Sequence, residues 1–556
     1  GDIGEPYPWV DAPVLEPYRE STLTLVGATD EYQYHWKIRK STDKNTTERF
    51  IGEEVKITFM DVDIYEVSIS EHDSNGNKIS STGFIGKIIV RYVRREIRSL
   101  DDDDRDLFMK SCAIVWAEPM ETGILKYGAQ YTDIKYLAGL HNKLAGDRDC
   151  DHMHDGLGFL TQHSGLTYLF EKSLQSINPG VTVPYWDWTI DVARNSAANM
   201  TNDAIWNWNV WNSEYFGSGL NKDHTVADGT WAYTLVSVAN WNDTHNPYGY
   251  MRAPWNTNSN PWVTRYNYTG SKLNNYASTD MGMPNCLDFW TLLMECDTWF
   301  DFGWAMPYNP HARVHSVIGG SESGPSFDVL SDYFDETILE DISKLQFSWT
   351  KNLWRNYKIE FPSYCSSDTP QHQCTGSCTF LDLAHKKGSF AAYIDTFGDE
   401  VVIAAFNTLG NDDQYKALGA LCENGLSIGD QMESASPADI SFWPIHPNLE
   451  RIWMIKKLSS TFQNESWPET GTSLATDTTA SGECYGHGPY DLLPYGDIYG
   501  SMDNLADKNN NLTNKGLYNL MDPMNSDLPY VYDDFSLKHC QHYDIDFGTW
   551  LPSQRR

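Results

Sequence analysis

The chain has 556 residues, and its 41 Lys and Arg against 76 Asp and Glu give a formal charge of −35. That balance excludes nucleic acid and anionic membrane surfaces as partners, because both select a basic footprint. With 21 Trp, 32 Tyr and 22 Phe the chain is too aromatic to be disordered, and it predicts a large packed core.

The length fits one large domain with additions, or two to three domains. No apolar run reaches the ~18 residues of a membrane span. No basic-then-apolar leader stands at Gly1, which reads as a mature or trimmed form. Residues 1–98 read as a small all-β domain, with strands expected at Thr22–Val26, Tyr32–Ile38, Val55–Phe59, Tyr65–Ser70 and Lys87–Val93. Asn75-Gly76 suits a hairpin turn, since both positions tolerate positive φ. The spacing predicts a sandwich of the immunoglobulin kind. Ser99 followed by Asp101–Asp104 predicts a helix start, with Ser99 as cap and the acids facing the positive end of the dipole.

From about residue 99 to 470 the chain reads as mainly helical with long loops. Apolar residues recur at three-to-four spacing over Tyr131–Leu144, Gly158–Leu174, Pro310–Val317 and Pro447–Ser459. Residues 195–285, rich in Trp, Asn and Tyr, predict ordered aromatic loops. Residues 471–556, rich in Gly, Pro, Asp and Asn, read as a C-terminal extension that Cys484 and Cys540 can pin.

Ten Cys and six N-x-S/T sequons, at Asn45, Asn199, Asn242, Asn267, Asn464 and Asn511, point to a secreted, disulfide-bonded glycoprotein. Cys374 and Cys378 resemble a zinc spacing, but no second pair matches it, so local disulfides involving Cys365 are expected.

The histidines carry most of the information. His311 and His315 are i,i+4, which stacks two imidazoles on one helix face. Ala312 stands where a zinc protease has its Glu base, so that chemistry is not expected. Alone, the pair is weak evidence for a metal, as two His at helical spacing also occur in ordinary cores and surfaces.

The surrounding motifs extend it. They are His154-Asp-Gly-Leu-Gly-Phe159 through His163 to Glu171, Pro184-Tyr-Trp-Asp-Trp188, His311 and His315 leading into Gly319-Gly320, and Ser436-Pro-Ala-Asp439 through Trp443 and His446 to Arg451 and Trp453. In order and spacing they resemble the type 3 (binuclear) copper family of tyrosinases, catechol oxidases and molluscan-type haemocyanins, over roughly residues 100–460.

The resemblance implies a four-helix core holding two copper ions, one on His141, His154 and His163, the other on His311, His315 and His446. His152 rivals His141 as a ligand. No catalytic residue is implied beyond the ligands. Phe159 matches an aromatic packed between the metals, although plain core packing fits it equally. Glu171 and Asp439 are candidates to orient ligands, with Asp439 alternatively capping a helix or pairing with Arg451.

Departures bear on activity. Ala312 replaces the Asn with which tyrosinases are thought to position a water that deprotonates a monophenol. Ile445 replaces an outer His, and His152 stands where many relatives have a thioether Cys. An insertion of about residues 321–428 is expected to pack over or beside the site.

The implied function is a secreted oxidase converting o-diphenols, and phenols as a further substrate class, to o-quinones with dioxygen. The alternative is a non-catalytic dioxygen-binding or structural extracellular glycoprotein on the same fold. Partners are dioxygen and a small phenol, and a homo-oligomer or extracellular assembly is compatible.

Overall fold

The computed structural model describes residues 7, 9–10, 12–43, 47–79, 85–198, 206–238, 244–266, 282–459, 461–474, 484–495 and 512–550. The sequons at Asn45, Asn199, Asn242, Asn267 and Asn511 lie outside the described residues. Asn464 lies within them and is exposed.

Eight strands come first: β1 (Val14–Leu15), β2 (Glu20–Thr24), β3 (Gln33–Lys40), β4 (Thr47–Ile51), β5 (Glu54–Thr58), β6 (Asp63–His72), β7 (Ile85–Val90) and β8 (Tyr92–Arg94). One sheet runs β1-β7-β6-β3-β4, with β1 parallel to β7, and β2 pairs with β5 separately. Alternation decides which face is buried: Tyr34, Trp36 and Ile38 of β3 point inward with Val67 and Ile69 of β6 and Val55 and Ile57 of β5. A small all-β N-terminal unit is therefore present. Gly76, with φ of 82°, turns the chain after β6, and its N–H donates to Asp73 O at 2.9 Å. β4 was not expected from the sequence; its Thr-Glu-Arg-Phe-Ile run is half exposed and lacks clean alternation.

The first helix, α1 (Asp102–Ala117), is capped by Asp101, not Ser99: Asp101 Oδ1 accepts from Asp104 N at 2.8 Å. Ser99 sits in a preceding tight turn and donates to Glu96 O at 2.8 Å. Four further helices build the centre: α2 (Ile134–Ala145), α3 (Phe159–Ile177), α4 (Arg313–Gly319) and, after the insertion, α6 (Phe442–Leu458). α6 starts five residues earlier than expected, which carries His446 into its second turn. Phe170 of α3 stacks on Trp443 of α6 at 3.9 Å. The Pro-Tyr-Trp-Asp-Trp motif ties these helices together. Trp186 N donates to Pro444 O at 2.8 Å, and Asp187 receives Arg451 at 3.1 Å.

The insertion closes on itself. Ser321 and Ile428 face each other in a two-residue antiparallel ladder, and the helix between them, α5 (Glu336–Arg355), packs with Phe397, Val402, Phe406 and Leu418 in a second core that Ala253, Trp255 and Met432 from outside the insertion also join.

Four disulfides are formed: Cys150–Cys484, Cys286–Cys540, Cys365–Cys374 and Cys378–Cys422. Cys374 and Cys378 thus enter separate local bridges. Cys484 and Cys540 pin the C-terminal segment to the core. That segment also adds strand β9 (Tyr530–Tyr532), parallel to β8. Between them Arg94 is fully buried. It donates to Glu171 of α3 at 3.0 and 3.2 Å and to Glu450 of α6 at 3.2 Å, with its guanidinium 3.6 Å from the Tyr530 ring centroid.

Candidate metal centre

Six histidines converge in two adjacent groups. His141 (α2), His154 (the loop before α3) and His163 (α3) offer ligand atoms within 4.8 Å of one another. His311 and His315 (leading into and on α4) with His446 (α6) do the same. The groups abut: His163 stacks on His446 with centroids 4.2 Å apart, and His154 lies 5.8 Å from His311. His152 is elsewhere. Its Nδ1 lies 2.8 Å from Tyr485 O, beside the Cys150–Cys484 bridge.

Hydrogen bonds fix which nitrogen faces the centre. Nδ1 of His141 meets Ser434 O at 2.6 Å, that of His163 meets Phe159 O at 2.7 Å, that of His311 meets Pro307 O at 3.0 Å, and that of His315 meets Gln431 O at 2.6 Å. A carbonyl only accepts, so each of these Nδ1 atoms carries the proton and each Nε2 keeps its lone pair. Asp151 Oδ1 does the same for His154 Nδ1 at 3.0 Å.

Burial holds five of the rings neutral. It pushes His141 down to about 3, helped by His154, and His315 down to about 4. His163, His311 and His446 are also held well below the usual imidazole value, again chiefly by burial.

Five of the Nε2 lone pairs find no donor among the described residues. Nε2 of His311, His315 and His446 are buried with no hydrogen-bond partner. Nε2 of His141 and His163 face each other at 3.2 Å, two acceptors with no proton between them. Buried polar atoms are normally satisfied, and neutral imidazole lone pairs are preferred ligands of cupric ions. The residues present therefore fit copper.

Local sequence explains the approach of the carbonyls. A Cβ on Gly319 would lie 2.4 Å from Met432 N, and one on Gly320 1.6 Å from Tyr266 O. The Gly-Gly pair lets residues 429–432 close on α4, so that Gln431 O reaches His315. Phe159 packs between the groups, 4.5 Å from His163 and 4.4 Å from His311. Phe442, which the sequence reading passed over, is a second such ring, 4.3 Å from His446 and 5.5 Å from His141.

Glu171, Asp439 and Arg451 lie in separate buried ion pairs, with Arg94, Arg265 and Asp187 respectively. Asp439 also accepts from Ser441 N at 2.9 Å, but the residue at the N-cap of α6 is Ser441 and Asp439 does not cap the helix. These pairs brace the helices that carry the histidines; the atoms that meet the Nδ1 groups come from four backbone carbonyls and Asp151. Carbonyls leave no trace in side-chain identity. Asp151 did leave one, three residues before His154.

A cavity of ≈ 190 Å³ reaches the histidines. His154, His311 and His315 form part of its wall, with Ala312, Trp255, Met432 and Glu433, and with Phe347, Ser348 and Lys351 from α5 of the insertion. Burial, then the charge of Asp430, pushes Glu433 up to about 8.

Residues 130–334 match the family model of the common central domain of tyrosinase. Tyrosinase of Streptomyces antibioticus is 31% identical over 105 residues, 18% of this chain and 33% of that enzyme. Grixazone synthase of Streptomyces griseus subsp. griseus is 26% identical over 142 residues, 25% of this chain and 40% of that enzyme. The chain thus spans about a third to two fifths of the length of these relatives. Among solved structures, a variant of polyphenol oxidase from Thermothelomyces thermophila shares 15% identity at a TM-score of 0.35, covering 80% of this chain and 88% of that one.

Proposed function

With its central segment belonging to the type 3 copper tyrosinase family, a family that binds copper, we propose that this chain holds two copper ions and oxidises o-diphenols to o-quinones. His141, His154 and His163 hold one ion, and His311, His315 and His446 the other. The observation that carries this reading is the convergence of six imidazoles, five of them buried and five with Nδ1 hydrogen-bonded elsewhere, beneath a cavity that admits a ring.

Bound copper supplies the redox capacity, so that two o-diphenols and one dioxygen give two o-quinones and two waters. The protein supplies the rest. Four carbonyls and Asp151 fix the ligand tautomers. Phe159 and Phe442 each pack against imidazoles of both groups and hold the rings in place. Trp255, Phe347 and Met432 offer apolar walls to the substrate ring. A monophenol needs a further group to remove its proton, and Ala312 provides none at the wall. Asp297 and Asp301 are engaged outside the cavity, with Gln463 and Thr298.

Disulfides and the acidic, sequon-bearing sequence support secretion and glycosylation, including at Asn464. No helix among the described residues is long and apolar enough to cross a membrane. The N-terminal β unit we read as immunoglobulin-like; on the alternative of a non-catalytic structural glycoprotein it would be an assembly or adhesion module.

The test compares catechol with the corresponding phenol by oxygen uptake and quinone absorbance. Catechol is expected to be oxidised, and the monophenol to run slower by roughly 10²-fold or more, the typical worth of a positioned base. A monophenol rate equal to the catechol rate contradicts the role given to Ala312. Copper binding without quinone formation favours the non-catalytic oxygen binder.

A further inference from the structure

Five of the six histidines have a visible partner at Nδ1, and four of those partners are backbone carbonyls. His154 is the exception: its partner is a carboxylate, on a loop and not on a helix. Asp151 Oδ1 accepts from His154 Nδ1 at 3.0 Å, from His154 N at 2.8 Å and from Met153 N at 3.1 Å. One oxygen thus sets both the turn and the ring.

The other oxygen faces the insertion. Asp151 Oδ2 lies 3.3 Å from Lys351 Nζ and 3.5 Å from Arg355 Nη2, both on α5. Arg355 also donates to Ala145 O, at the end of the helix that carries His141, at 2.8 Å. On the opposite side, His487 of the C-terminal segment reaches Asp151 O at 2.8 Å, and the Cys150–Cys484 bridge lies one residue away. Asp151 is only 4% exposed. A buried carboxylate needs compensating charge, and here most of it comes from a segment inserted between the second and third ligands of the other ion.

We propose that Asp151 is the positioning residue of His154, and that Lys351 and Arg355 of the inserted helix anchor it, so that the insertion forms part of the first metal site. This rests on the reading of the two histidine groups as copper sites. A carboxylate on the remote nitrogen of a ligand imidazole fixes the ring and raises its basicity, and losing one typically weakens metal binding 10–100-fold. The contact is asymmetric between the sites. At the second ion, the Nδ1 partners of His311 and His315 are the backbone carbonyls of Pro307 and Gln431, neither of them on α5.

The test uses the full-length copper-loaded protein and the variants Asp151→Ala, Asp151→Asn and Lys351→Met. Copper per chain is measured after equilibration with graded chelator, and the electron paramagnetic resonance signal reports a lone cupric ion. Asp151→Ala is expected to lose one copper at a chelator concentration about 10–100-fold lower than wild type, while the second stays. A lone cupric signal appears at that point. Asp151→Asn, whose amide oxygen still accepts the N–H but carries no charge, falls between the two. Lys351→Met moves in the same direction.

If Asp151→Ala retains both coppers at the wild-type chelator concentration, the positioning role is wrong. Loss of both ions together, with a lowered unfolding temperature, likewise overturns it in favour of a general structural role. A wild-type chain that takes up no copper overturns the parent reading, and this one with it.

Discussion

His446→Ala is expected to leave a chain that holds one copper and oxidises catechol at least about 10³-fold more slowly, a barrier increase of about 4 kcal/mol. His446 is 3% exposed, and its Nε2 is one of the three buried, unpartnered nitrogens of the second group. Its ring also lies against His163, so it is placed where the two groups meet. Truncation leaves His311 and His315 alone, and two imidazoles from adjacent turns do not close a site around a cupric ion. The first group keeps all its ligands and its Nδ1 partners, so its copper should remain. Copper content, with circular dichroism to show the helices intact, checks the first half; oxygen uptake checks the second. Two retained coppers together with undiminished activity would contradict the ligand assignment.

Arg94→Met is expected to cost stability on a comparable scale, about 3–5 kcal/mol, because it strands two buried carboxylates. Arg94, Glu171 and Glu450 are each fully buried. Tyr530 Oη donates to Glu450 at 2.5 Å and Val183 N to Glu171 at 2.8 Å, but neither supplies a positive charge. The loss should appear as a lower denaturant midpoint in tryptophan fluorescence. Removing the stranded charges as well, with Glu171→Gln and Glu450→Gln, should recover part of it. If Arg94→Met unfolds at the wild-type midpoint, this network does not hold the N-terminal strand, the C-terminal strand and helices α3 and α6 together.

That network marks the limit of what the sequence could reveal. The i,i+4 pair His311 and His315 is a local pattern, and helical periodicity was enough to place it. His141, His154, His163 and His446 were found because their flanking motifs resemble a family, and composition alone did not select them from 16 His. Arg94 was invisible, since its partners lie 77 and 356 residues away and no local spacing links them. Asp439 illustrates the same limit. Its helix neighbour Arg451 was a reasonable partner on spacing, yet Arg265, 174 residues away, takes both its oxygens at 2.7 Å.

Apolar spacing alone placed the last helix at Pro447–Ser459, and it left out the turn before it. Packing against Phe170 and Trp186 instead starts the helix at Phe442. Ser99 lost the cap to Asp101 for a related reason: two capping residues stood close together, and tertiary pairing of residues 92–97 with 530–532 and 185 fixed where the chain could begin to coil.

The insertion was legible as surplus length, but not its role at the site. Nothing in the sequence near Lys351 or Arg355 points to Asp151, which lies some 200 residues earlier.

Metal analysis of chelator-free protein tests most directly whether the six imidazoles hold two coppers. Two coppers per chain are expected, falling to one in His446→Ala. No copper in a sample never exposed to chelator, or one ion that survives removal of either histidine group, would contradict it.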